Sequence, residues 1–523
     1  MQETNNTRQS KRFGYVDIGL FYGSLALSLV FIFSSYGNFS LDGPSHIYNA
    51  KLLQYLLSGN KFISTYFKLN RVPVPNLLDH FLLALLYFIM PVFMAQKVLL
   101  SICVVGMATG FRAIVKYYNP GNTMLSAFVI PLTQSFLFYI GFYNFCLSIA
   151  CLLWAYHYFI KHFSNINNAR SITRVIVMIV LLILNYFANE LSFLFLGLLF
   201  LLHEMKLIVQ SKKIEAKRIL FLILTWTPAV LCAISFTLWV DPGHQQNGPR
   251  PFKELLAWLY NARILEVFSD KELLWTRIYF IVLIAILVCV LIKARTNTKG
   301  NQKIFLWGAL FSLVLYFVLP DGFSVGMMSI RLSFYFFLFF TLWLATKNIS
   351  ALVKWPVTIV LYSCCWVLFS MHLSPLKQYD ARVKEIVEAS GKYIDSNSIV
   401  LPVDCENSWI TIHMADYMGI NKPIVNLEDY EATLDWFPVV ANESAMPYVT
   451  FGIDNSSQWL YWFNGFNSKT RKQLDYVFIF GDFNKVMTQA ELANIKYDIQ
   501  TRCTLVYQST DSWIHIYKNK PTL

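Results

Sequence analysis

The chain has 523 residues, of which 56% are hydrophobic and 14% charged, with 43 Lys and Arg against 31 Asp and Glu; its mean hydropathy is +0.46. A soluble globular chain carries about 25% charge, so this composition excludes a solvated globule and points to a polytopic α-helical membrane protein. Most of the +12 net charge lies in short loops between apolar segments, where it sets orientation; it does not point to nucleic acid as a partner.

Arg8, Lys11 and Arg12 precede an apolar stretch from about Tyr15 to Ser34. The stretch is too long for a signal-peptide core and lacks a small-residue cleavage site, which predicts a retained first membrane helix over 15–36. Apolar segments follow near 76–94, 95–115, 124–141, 143–162, 172–188, 190–208, 218–240, 275–293, 303–319, 330–346 and 352–371. If all twelve crossed, the loops with Arg112/Lys116, Lys161/Arg170/Arg174 and Lys206/Lys212/Lys213/Lys217/Arg218 would lie outside, against the positive-inside rule.

Segment 76–94 begins Asn76-Leu77-Leu78-Asp79-His80, follows Pro73-Val74-Pro75 and contains Pro91. Laid along the outer interface, it leaves about 11 spans and puts every basic loop inside, including Lys293/Arg295/Lys299/Lys303 and Lys347/Lys354. The expected topology has a cytoplasmic N-terminus and an extracytoplasmic C-terminal domain, in a membrane taken as the bacterial inner (plasma) membrane. The expected division is a transmembrane module over 1–372, including the outer loop 37–94, and a soluble domain over 373–523.

In that tail, helical signals (Tyr379–Ser390, Gln489–Lys496) alternate with strand-like runs at Ser398–Val403, Tyr476–Phe480, Thr504–Tyr507 and Trp513–Tyr517. Interleaved strands and helices predict a small α/β domain. No Gly-rich nucleotide-binding sequence occurs. The nine cysteines have no metal-site spacing; Cys405 and Cys503, the two in the tail, leave a disulfide open in an oxidising compartment.

The first outer loop carries the most chemistry. In Ser40-Leu41-Asp42-Gly43-Pro44-Ser45-His46, the Gly-Pro pair ends the membrane helix and starts another over Pro44–Leu57. Asp42 is thereby fixed at a turn on the membrane surface, with His46 one helical turn on. One role for Asp42 or Ser45 is a plain helix cap. The other is Asp42 as a general base at the water–lipid boundary, where partial desolvation raises a carboxyl pKa.

With these residues the chain resembles the GT-C superfamily of membrane glycosyltransferases, especially its protein O-mannosyltransferase and lipid A aminoarabinose transferase branch. That family has an acidic residue soon after helix 1, a long outer loop with two juxtamembrane helices, and often an outer C-terminal domain. Asp42, Pro44–Leu57, Pro73–Phe93 and the tail match these features. The resemblance implies that Asp42 activates an acceptor hydroxyl (on a lipid, glycan or protein) and that the donor is a sugar on a polyprenyl phosphate or diphosphate. Many members carry a paired acid at this site, whereas Gly43 follows Asp42 here. That leaves His46 or Glu190 to supply the second polar group. No cofactor is assigned, and a divalent metal is the open candidate.

Glu190, between two apolar helices, is costly enough at a membrane edge to suggest function. Arg331, after Pro320-Asp321-Gly322, suits bidentate phosphate binding, and the family often places an Arg there for the lipid phosphate. Asp79 and His80 head the second juxtamembrane helix and are expected at the same cavity. His244, Arg250 and Lys253 in loop 241–274, and Asn144 beside Tyr143, are weaker candidates for phosphate or sugar contact. The competing classes are a transporter or flippase, which calls for broken helices in paired halves that the sequence does not display, and another membrane protein that processes lipid-linked glycans.

Overall fold

The structure, a computed structural model, describes residues 2–164, 171–213, 215–240, 248–294, 303–322, 326–406, 408–442, 444–446, 474–488 and 493–520. Helix α1 (Gln2–Ser34) is followed by α2 (Gly43–Leu57), α3 (Ile63–Tyr66), strand β1 (Phe67–Leu69), α4 (Leu78–Leu86) and α5 (Val92–Tyr118). At 9 residues, α4 is about 14 Å long, less than half of a hydrocarbon core of about 30 Å. Pro91 separates it from α5. Segment 76–94 thus contains no helix able to cross.

The single helix expected over 124–141 does not form. A 3-10 stretch (Pro120–Phe128) and two short helices, α6 (Val129–Thr133) and α7 (Phe136–Tyr139), take its place. Pro131 lacks an N–H and its ring clashes one turn back, and Gln134 leaves the helical region at φ −121°, ψ 55°. Irregular backbone at membrane depth needs protein cover, and residues 124–140 are all buried. Gln134 Nε2 donates to the Ser28 carbonyl (3.1 Å), and Tyr139 donates to Gln134 Oε1 (2.9 Å).

Next come α8 (Tyr143–Phe163), α9 (Ile172–Ala188), α10 (Glu190–Ser211), α11 (Ala216–Trp239), α12 (Phe252–Tyr260), α13 (Leu273–Ala294), α14 (Lys303–Val318), α15 (Met328–Ala345) and α16 (Ala351–Tyr393). Among the described residues, 8 helical segments are long and apolar enough to cross a membrane; α9 and α14 are shorter apolar helices. Leu220, Ile223, Leu224, Leu231 and Leu238 of α11 are exposed, as lipid-facing side chains are.

The chain divides into two compact units. The first comprises Met1–Ser34, Leu100–Tyr139 and Tyr143–Pro375; the second comprises Ser35–Leu99, Ile140–Phe142 and Leu376–Leu523. The first is helical. In it, Arg112 pairs with Asp17 (2.7 Å), which also accepts from the Thr123 hydroxyl (2.8 Å).

The second unit contains the tail strands β2 (Ser398–Cys405), β3 (Ile424–Asn426), β4 (Val439–Ala441), β5 (Tyr476–Gly481), β6 (Cys503–Gln508) and β7 (Ile514–Asn519). Five form a sheet in the order β3-β2-β5-β7-β6. Strands β3, β2 and β5 are parallel, and β7 runs antiparallel to β5 and β6. The expected helix over 379–390 is the last part of α16, while the one expected over 489–496 is seen as Ala493–Arg502, with 489–492 outside the described residues. Cys405 and Cys503 are buried free thiols.

Loop 37–94 belongs to this unit. Strand β1 pairs antiparallel with β4, Phe67 opposite Ala441 and Leu69 opposite Val439. Tyr48, Leu52, Ile63, Tyr66 and Phe67 share a core with Ile399, Leu401, Val425, Val477 and Ile479. Fully burying a large apolar side chain contributes about 1.5–3 kcal/mol, so loop and tail stabilise each other. Tyr48 is fully buried there: its hydroxyl donates to the Ile424 carbonyl (2.6 Å) and accepts from Asn426 N–H (3.0 Å).

Residues 140–142 brace the turn that carries Asp42. The Asp42 N–H donates to the Ile140 carbonyl (2.9 Å). Gly141 has φ +88°, and a Cβ there would lie 2.4 Å from Gly43 N and 2.8 Å from Ser40 Oγ. Both the backbone angle and the space require glycine. Gly141→Ala is therefore expected to cost about 2 kcal/mol or more, read as a lower melting temperature of the purified protein; unchanged melting would contradict this packing.

Candidate active site

Helix α2 opens with Pro44 in its first turn, where the missing N–H costs nothing and φ is already helical. Asp42 occupies the N-cap position, yet its side chain makes no capping hydrogen bond. Ser45 does not cap either: its hydroxyl donates to Asp416 Oδ2 (2.5 Å). Both side chains are turned toward the tail segment 413–431.

Around Asp42 that segment supplies three polar side chains. The Tyr430 hydroxyl donates to the Asp42 carboxylate; burial and then the Asp42 charge push the Tyr430 phenol well up. His413 stacks on Tyr430 with ring centroids 4.3 Å apart. Its Nε2 is 3.9 Å from Asp42 Oδ1, and its Nδ1 is 4.0 Å from Glu428 Oε1. Burial and then His46 hold His413 down at about 3, so it is neutral near pH 7. The side chains of Asp42, His413 and Glu428 keep 13–14% exposure.

One turn along α2 the site closes completely. His46, Asp79, His80 and Glu431 are 0–2% exposed and face one another. His46 Nδ1 lies 2.9 Å from Asp79 Oδ2 and 3.4 Å from Glu431 Oε1. His80 Nδ1 is 3.1 Å from Asp79 Oδ1, and its Nε2 is 2.8 Å from Glu431 Oε2. Phe437 packs on both imidazoles. Burial alone would lower both histidines, but Asp79 and Glu431 outweigh it and raise them, His80 most. Burial would likewise raise Asp79, but the two imidazoles hold it well below the usual carboxylate range. Among the candidate residues, His46, His80 and Glu431 have the donor atoms and spacing to hold a metal ion.

A second buried pair lies alongside. Asp416 accepts from Ser45 and from Asn426 Nδ2 (2.5 Å); Asp429 accepts from Asn49 Nδ2 (2.7 Å). Burial pushes both carboxyls up, Asp416 to about 7.

Of the residues expected from the sequence, the second unit therefore gathers Asp42, His46, Asp79 and His80. Substrate contact was the expectation for the last three, and the structure buries them. Asn144, Glu190 and Arg331 belong to the helical unit, where they open three helices. Ser192 donates to the Ser148 carbonyl (3.1 Å), and Phe145 packs on Phe334 and Tyr335, so the three helix starts share one end of that unit. Asn189 caps α10 beside half-buried Glu190. Arg331 is 5% exposed; its Nε donates to the Gly326 carbonyl (3.2 Å), and its guanidinium lies over Phe145. Arg250 pairs with Asp321 (2.7 Å) and Glu254 (2.9 Å). Asp321 in turn accepts from Ser329 N–H at the start of α15 (2.9 Å). His244 lies outside the described residues.

No family model and no curated protein matches the chain. Among solved structures it is similar to ArnT from Cupriavidus metallidurans bound to undecaprenyl phosphate, with a TM-score of 0.56 over 96% of this chain and 98% of that one. The fold is GT-C-like. At 8% identity the likeness is one of fold, and it agrees with the layout expected from Asp42 and the two juxtamembrane helices.

His413, Glu428, Tyr430 and Glu431 were not anticipated. Their sequence signal is Asn426-Leu427-Glu428-Asp429-Tyr430-Glu431, an acidic run directly after β3. The C-terminal ends of parallel strands are where open α/β sheets place their ligands, and such a run there is more than a solvated loop.

The buried Asp416 gives a pH test. Its neighbours are Ser45 on α2, Asn426, and the acids Asp429 and Glu431. The folded protein keeps a proton on Asp416 where the unfolded chain has lost it, so stability falls as pH rises from about 4 to about 7. Asp416→Asn is expected to flatten this slope in melting temperatures measured across that window. An unchanged slope would show that Asp416 is ionised in the fold.

Proposed function

We propose that this protein is a membrane glycosyltransferase that moves a sugar from a polyprenyl-phosphate-type lipid donor to an acceptor on the outer face of the membrane. The observation that carries the proposal is the state of Asp42. Its carboxylate is spared from capping, bonded by Tyr430, partly open to solvent and set beside a neutral His413. The GT-C-like fold, shared over most of the chain with a protein bound to undecaprenyl phosphate, supports a lipid-linked donor.

In this reading Asp42 takes the proton of the acceptor hydroxyl as its oxygen bonds to the anomeric carbon. The carbon–oxygen bond to phosphate breaks on the opposite side, and polyprenyl phosphate leaves with the electron pair. Configuration at the anomeric carbon inverts. Tyr430 fixes the carboxylate in place for the acceptor hydroxyl, and Glu428 stands as the second acid in place of the one that Gly43 replaces after Asp42. Arg331 is assigned to the lipid phosphate, since a guanidinium pairs with phosphate oxygens in two parallel bonds. Glu190 and Asn144, with His244, are assigned to substrate contact. The acceptor is a lipid, a glycan or a protein, and the N-terminus is cytoplasmic.

Labelled polyprenyl-phosphate sugar incubated with membranes holding the full-length protein tests this. Asp42→Asn should reduce transfer of label from the lipid at least about 100-fold while leaving yield and melting temperature unchanged. Arg331→Ala should weaken binding of undecaprenyl phosphate. Undiminished transfer by Asp42→Asn would overturn the assignment of the base.

A further inference from the structure

The geometry points to a structural divalent-metal site of the zinc type at His46, His80 and Glu431, with Asp79 orienting the ligands, which fastens α2 and α4 to the tail. The inference does not rest on the transferase reading, because none of these four side chains is open to substrate.

The donors are of the right kind and spacing. Two imidazoles and a carboxylate form a common set for Zn²⁺, and their ligand atoms all lie within 4.8 Å of one another. Around a tetrahedral ion with bonds of about 2.0–2.1 Å, donor atoms sit about 3.3 Å apart; His46 Nδ1 and Glu431 Oε1 are 3.4 Å apart. His80 is also oriented as metal-bound histidines are. Its Nδ1 faces Asp79 Oδ1 (3.1 Å) and the Asn76 carbonyl (3.2 Å). That fixes the proton on Nδ1 and leaves Nε2 for the ion, the usual carboxylate–histidine–metal arrangement.

One carboxylate oxygen favours an ion over a plain hydrogen-bond network. Glu431 Oε1 is buried and accepts no hydrogen bond, while His46 Nδ1 lies 3.4 Å from it and is hydrogen-bonded to Asp79, 2.9 Å from Oδ2. An imidazole nitrogen carries one proton and cannot serve both oxygens. A cation bound to Glu431 Oε1 supplies what the imidazole does not, and a buried carboxylate needs such a partner. With a divalent ion bound, both imidazoles give up the protons that Asp79 and Glu431 otherwise hold on them, and the two carboxylates balance the charge of the ion. Among the described residues, the ion pairs of Asp79 and Glu431 are with these two histidines alone, so no Lys or Arg competes for the position. No thiolate is present, which favours an ion content with nitrogen and oxygen donors.

Metal content of the full-length protein, purified in detergent through a non-histidine tag, tests the proposal. About one zinc-type ion per chain is expected. EDTA dialysis should lower the melting temperature, and micromolar Zn²⁺, not Mg²⁺, should restore it. Glu431→Gln should weaken zinc binding at least about 10-fold. If that variant does not fold, X-ray absorption of the wild-type protein replaces it, with imidazole nitrogen and oxygen ligands expected. Wild-type protein that holds no metal and takes none from added Zn²⁺ overturns the inference, as does full zinc content in a folded Glu431→Gln protein or sulfur in the coordination shell.

Discussion

A carboxylate withdrawn from water must find donors or opposite charge nearby, and between α2 and the tail of this chain four are withdrawn together. Asp79, Asp416, Asp429 and Glu431 are each about 1% exposed or less. Their partners come from α2 and α4: Ser45, His46, Asn49 and His80. Removing one side of such a seam strands the other, and a buried polar group left without its partner costs about 1–3 kcal/mol, more where it is charged. The tail and loop 37–94 therefore need each other. The apolar core they share, with Tyr48 lodged beside Gly419, where a Cβ would lie 2.2 Å from its ring, adds burial to a geometry that the polar groups specify.

That seam is also what gives Asp42 its setting. The residue sits one turn upstream of His46, so whatever locks His46 sets the azimuth of the whole first turn of α2. Gly141 holds the same turn from the other direction by close backbone contact. Pinned at both ends, the Asp42 carboxylate has little freedom, and Tyr430 takes up the remainder. Preorganisation of this kind is what a general base requires, because reorientation during the reaction adds to the barrier. A rigid buried cluster beside a partly open acid also explains why so many titratable groups lie close together. Those inside hold the frame, and those at its edge keep some exposure.

Much of the architecture was legible in the sequence because charge and hydropathy act locally. The basic loops singled out segment 76–94, and the short α4 agrees with them. The turn at Gly43-Pro44 announced α2 and, with it, Asp42. Four strands of the tail stand where β-branched and aromatic runs placed them, while the three-residue strands β3 and β4 were not expected. Segment 124–141 was harder: its composition reads as a span, and only the combined effect of Pro131, Gln134 and complete burial breaks it into short pieces. The cluster around Glu431 was not legible at all. His46 and Glu431 are 385 positions apart, and no periodicity links residues that meet only through tertiary packing. The acidic run after β3 was the available hint, and its meaning depends on knowing that β3 is a parallel strand. The free thiols Cys405 and Cys503 make the same point, since spacing alone says nothing of whether two cysteines approach.

The central claim is that Asp42 is the base of a sugar transfer. A structure of the full-length protein in a lipid nanodisc with a non-transferable polyprenyl-phosphate sugar analogue tests it most directly. The account predicts the anomeric carbon about 6 Å from the Asp42 carboxylate, with room for one acceptor oxygen between them. Its phosphate should lie on the far side of the sugar. An analogue bound with its anomeric carbon turned away from Asp42, or held at a site that Asp42 does not reach, would contradict it.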